Sequence, residues 1–161
     1  MSMNPYDYYE NFVSPNCKDF YADESNLRKA FNAVVSVVHM TDNYFNYYKK
    51  QGDPRILSYK KMEDLQHYLS TQSKYFNDIQ SIANAYKHLY TKSEKAYVNV
   101  ESGGAITSIQ VTDNDVTSIE GLVQDDNSNY IVVYSMKSGA RLRLKTALSD
   151  VEKLWSGIIN P

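Results

Sequence analysis

Between residues 24 and 51 the chain carries apolar side chains around most of a helical circumference, and this constrains the fold more than any other feature. At about 100° per residue, Leu27, Phe31, Val34, Val38, Phe45 and Tyr48 share one face, while Ala33, Val37, Met40 and Tyr44 widen the arc well beyond one side. A helix this apolar needs neighbours on several sides, which predicts a central place in a bundle. Small polar and acidic residues open it before Leu27. Gly52, Asp53 and Pro54 close it, a glycine just past the last turn and then a proline that cannot continue it. What remains is a narrow polar stripe of Asn32, Ser36, His39 and Asn43, spaced 4, 3 and 4 residues apart.

Two further helices follow from the same periodicity. Residues 59–70 place Met62, Leu65, Tyr68 and Leu69 inward, and residues 73–90 do so with Tyr75, Phe76, Ile79, Ile82, Ala83, Tyr86 and Leu89. The latter carries its own polar line of Asn77, Ser81, Asn84 and His88. After Glu94 the period changes to alternation. Strands are expected at residues 97–100, 105–111, 116–123, 130–136 and 141–145, separated by turn-forming residues such as Gly103-Gly104, and a short amphipathic helix closes the chain over residues 147–158. The expected class is therefore α+β: an antiparallel three-helix bundle, an antiparallel meander of about five strands, and a C-terminal helix. The expected division is an extended arm at residues 1–23, punctuated by Pro5 and Pro15, then the bundle at 24–93 and the meander with its helix at 94–161, packed as one compact unit.

Lys and Arg number 17 against 19 Asp and Glu, a net charge of -2, which is not the balance of a protein devoted to wrapping duplex nucleic acid. Nucleic acid is therefore not a favoured partner. The longest apolar runs fall far short of the roughly 18 residues of a membrane span, so no membrane association is expected. One cysteine, Cys17, makes neither an intramolecular disulfide nor a multi-cysteine metal site, and suits a cytoplasmic setting. Fifteen tyrosines join apolar bodies to polar tips; they suit the rim of a core, or a surface that binds another protein or a second copy.

The stretches Leu27-Arg28-Lys29-Ala30-Phe31-Asn32-Ala33, His39-Met40-Thr41-Asp42 and Ile82-Ala83-Asn84-Ala85-Tyr86-Lys87-His88 resemble a group of small bacterial proteins with a helical N-terminal half and a strand-rich C-terminal half. That group is similar in layout to the HEPN superfamily, many of whose members are RNases or partners in toxin–antitoxin and anti-phage systems. The resemblance implies a HEPN-like helical half over residues 24–92. It also implies a nuclease motif of arginine, a polar residue and a histidine. Here Asn84 and His88 match, but Ala83 stands where the arginine belongs, and only Lys87 could supply the cation that phosphoryl transfer needs.

The two polar stripes are the candidate site. If they face each other, Asn32, His39, Asn84, Lys87 and His88 form a shallow cleft for a ligand, with His39 and His88 as candidate catalytic groups. The plainer alternative is that each stripe meets solvent, or is covered with its hydrogen bonds satisfied. Arg141, Arg143 and Lys145 alternate along the last strand and could hold an anion, or simply be the solvated face of a sheet. His39 with Asp42 and Glu63 with His67 have helix-compatible spacing but make no recognisable metal motif, so no metal or cofactor is expected. The leading expectation is a non-enzymatic interaction or self-association module, a homo-oligomer or the partner of another protein, in a toxin–antitoxin or phage-conflict setting as the resemblance implies. The alternative is a metal-independent RNase or nucleotide-binding protein using His88.

Overall fold

A computed structural model describes residues 3–89, 106–112, 130–135 and 141–160. The long apolar helix is α3 (Leu27–Gln51); the Asn26 side chain caps its start by accepting from the Lys29 N–H, and Gly52 ends it in the left-handed region at φ 62°. Before it runs a helical segment made of α1 (Pro5–Tyr8), a π-helical turn (Tyr9–Val13) and α2 (Ser14–Ala22). After it come a 3₁₀ turn (Pro54–Ile56), α4 (Met62–Gln72) and α5 (Phe76–Leu89). Strands β1 (Ile106–Thr112), β2 (Tyr130–Ser135) and β3 (Arg141–Arg143) pair antiparallel in the order β1-β2-β3, with Ile109 opposite Val133 and Val133 opposite Leu142. Helix α6 (Leu144–Ile159) follows β3 without an intervening residue.

This corrects the expected α+β layout in three places. The extended arm of residues 1–23 is helical instead, and its prolines are the reason it reads otherwise. Pro5 occupies the first turn, where a missing N–H costs nothing, with Asn4 accepting from the Asp7 N–H as cap. Pro15 falls just after the π turn, in which the Ser14 N–H reaches back five residues to the Tyr9 carbonyl; this wider turn gives room to a ring that would crowd a regular helix. The bundle thus has a fourth long helical element, packed along α3. Second, the five-strand meander is not seen: the sheet among the described residues has three strands, and the strands expected at 97–100 and 116–123 lie outside those residues. Third, the alternation of residues 141–145 does not carry a strand to Lys145. Leu144, Ala147, Leu148, Val151 and Trp155 are all buried at helical spacing, so burying that stripe favours helix from Leu144 onward.

One core joins these elements. Val13, Cys17 and Phe20 from the N-terminal segment meet Ala33, Val34, Val37 and Met40 of α3, Ile79 and Ile82 of α5, Ile131 and Val133 of β2, and Leu148, Val151 and Trp155 of α6. Helix α6 packs against α2, α3, α5 and the sheet, and so ties the two ends of the chain together.

Candidate functional site

The polar stripe of α3 faces the N-terminal helical segment, not α5. Asn43 Nδ2 donates to the Met3 carbonyl at 2.9 Å, and the Tyr8 hydroxyl donates to the Ser36 carbonyl at 3.2 Å. Ser36 is buried and returns its own hydroxyl to the Ala33 carbonyl at 2.8 Å. On the side of the Tyr8–Ser36 contact away from Met3 and Asn43, an open groove of about 240 Å³ lies between the two helical elements, lined by Tyr8, Phe12 and Asn16 from one and by Asn32, Val35, Ser36 and His39 from the other.

Its chemistry is mixed. Tyr8 and Phe12 stack at 5.4 Å and 29°, and Phe12 remains 45% exposed. The Tyr8 hydroxyl is pushed up to about 12, by burial first and then by the nearby Asp42 carboxylate, so it stays a donor at every physiological pH. Asn32 and His39 are exposed at the groove edge, and neither makes a side-chain hydrogen bond among the described residues.

Of the five residues expected to share a cleft, the structure therefore brings Asn32 and His39 together. Asn84 lies half-buried on α5 and does not line the groove. His88 and Lys87 belong to the last turn of α5, and their side chains lie outside the described residues. Among the described residues no three His, Cys, Asp or Glu side chains converge as metal ligands would.

The basic row resolves differently. Arg143 is buried, and its Nε and Nη2 donate to the two carboxylate oxygens of Glu24 at 2.7 and 2.6 Å. Lys145, on the first turn of α6, approaches the same carboxylate at 3.7 Å. The row is split between strand and helix, and two of its three cations already share an internal anion. Arg141 is half-buried on β3. Sequence reasoning did not find Glu24, because it lies 119 residues from Arg143 and carries no local signal.

A second cluster also escaped it. Tyr9 and Tyr21 donate to the two oxygens of Glu152 at 3.3 and 2.6 Å, fastening the N-terminal segment to α6. Burial, reinforced by Glu152, pushes the adjacent Cys17 thiol well up; burial likewise raises Tyr21, and takes Tyr9 to about 12. Two outcomes are expected. Cys17 should not react with a disulfide reagent at about pH 8 until the protein unfolds, because the reactive thiolate is absent and the sulfur is covered. Stability should also fall as pH rises above about 9, because the unfolded chain then releases thiol and phenol protons that the folded chain retains. Denaturation midpoints between pH 7 and 10.5 check the sign, and a flat profile would contradict it.

Among the described residues, no helix is long and apolar enough to cross a membrane. No family model, curated protein or solved structure matches the chain, so the groove and its chemistry carry the functional reading.

Proposed function

We propose that this protein is a non-enzymatic interaction module whose working surface is the groove between the N-terminal helical segment and α3. The observation that carries this reading is the exposed, stacked Phe12 ring set beside Val35 and the unengaged polar edge of Asn32 and His39. An apolar centre with hydrogen-bonding groups at its margin is the composition of a protein contact surface. The surrounding surface supports it: of the six large apolar residues most exposed among those described, Met3, Tyr6 and Phe12 lie on or beside this one helical segment.

The same geometry weighs against bond cleavage as the groove's role. Among the described residues its lining offers one imidazole and no Lys or Arg, whereas metal-free phosphoryl transfer needs a base together with positive charge at the developing oxyanions. A toxin–antitoxin or phage-conflict setting rests on the HEPN-like resemblance alone.

Site-specific photo-crosslinking tests the proposal in cells. A photoreactive phenylalanine analogue at position 12 is expected to give a discrete protein adduct, and the same group at exposed Lys153 on α6 is not. Adducts to nucleic acid alone, or none, would overturn the reading. Mass spectrometry of the adduct then identifies what occupies the groove.

A further inference from the structure

Resting on that reading, we infer that the occupant of the groove is a second copy of this chain, docked about a two-fold axis at Val35. The argument begins with a line of residues on α3. Arg28, Asn32, Val35, His39 and Asp42 are spaced 4, 3, 4 and 3, so they fall within about 80° of one another around the helix, and the middle three of them line the groove. Four are exposed, and Val35, at the middle, is half-buried.

The line is self-complementary about its centre. Arg28 lies seven residues before Val35 and Asp42 seven after, about 10 Å to either side at 1.5 Å per residue. When two such helices cross antiparallel at Val35, each Arg28 faces the other copy's Asp42, and each Asn32 comes level with the other copy's His39. A two-fold interface demands this relation, in which one residue meets a second and the second meets the first. Neither Arg28 nor Asp42 has an ion-pair partner in its own chain among the described residues.

Shape agrees with charge. Phe12 and Val35 line the same groove, so the exposed ring and the hollow beside it lie near the proposed axis. Each copy then offers a ring to the other's groove. The result is two helical hairpins packed face to face, a four-helix arrangement with an apolar centre and charged ends. The rim charges set direction and register more than they add affinity.

Sedimentation velocity over a concentration series tests this on the full chain. The parent is expected to be a dimer. Arg28→Asp and Asp42→Arg each place like charges opposite one another twice by symmetry, and each should raise the dissociation constant by about tenfold or more. The double variant, with both charges exchanged, restores attraction and should return to within about threefold of the parent, a rescue that a folding defect could not produce. A parent that stays monomeric up to a few hundred micromolar would overturn the inference, as would a dimer indifferent to all three variants. A monomer whose position-12 adduct is a different protein overturns this inference alone, whereas a chain giving no protein adduct overturns the module reading as well.

Discussion

Glu24→Ala is expected to lower the unfolding free energy by about 3–5 kcal/mol, the range for removing one partner of a buried ion pair. The Glu24 and Arg143 side chains are only 7% and 5% exposed, and two charge-assisted hydrogen bonds join them. Without the carboxylate, Arg143 keeps its charge in a buried place, over the Tyr130 ring at 4.9 Å, and loses both charge-assisted hydrogen bonds to Glu24. Lys145 loses the same counter-charge. The reverse change should be milder: Arg143→Met leaves Glu24 within reach of Lys145, which is 40% exposed and free to close the 3.7 Å gap. The pair Glu24→Leu with Arg143→Met should recover much of the loss, since burying two apolar groups avoids desolvating two ions. Urea denaturation followed by circular dichroism measures all four proteins. A Glu24→Ala cost below about 1 kcal/mol, in the range of a surface pair, would show that Glu24 is not the buried counter-ion of Arg143.

Trp155→Ala should cost a similar amount, about 3–5 kcal/mol, for a different reason. Trp155 is the largest fully buried side chain among the described residues, and its ring lies 5.5 Å from Tyr44 across the contact between α6 and α3. Truncation removes apolar burial and leaves a cavity that helices anchored at both ends cannot collapse into. Against a typical domain stability of about 5–15 kcal/mol, such a loss brings the protein near unfolding at physiological temperature. Trp155→Phe separates packing from hydrogen bonding. Among the described residues the indole Nε1 makes no hydrogen bond, so its removal strands no acceptor there, and this variant should lose clearly less than the alanine variant. Equal losses in the two would assign the energy to the indole nitrogen instead. Circular dichroism is again the readout, because Trp155 is the chain's single tryptophan and its fluorescence disappears with it.

The central helix was legible because everything that defines it is local. Apolar spacing, the Gly52-Asp53-Pro54 stop and the polar residues before Leu27 all act within a turn or two of where they stand in the chain. The same signals placed α4 and α5 to within a few residues. They misled at the N-terminus, where Pro5 and Pro15 read as breaks. One is absorbed by the first turn of a helix and the other by a π turn, a geometry that side-chain periodicity does not encode. They misled again at Leu144, where a strand-like alternation yielded to a buried helical stripe.

The polar stripe of α3 shows where local information stops. Its spacing was plain from the residues, and so was the candidacy of Asn32 and His39. Which element it faces was not. Spacing within one helix says nothing about the rotation of that helix relative to its neighbours, and the N-terminal segment takes the place that α5 was expected to hold. Glu24 with Arg143, and Tyr21 with Glu152, are 119 and 131 residues apart, and each pair has meaning only once α6 has closed over the N-terminal helices. The sequence by itself determined which segments are helical in the middle of the chain and which of their faces are apolar, because those follow from backbone geometry and side-chain order. Only the tertiary structure decided which polar groups meet, because that depends on how separate apolar faces find one another to bury their common surface.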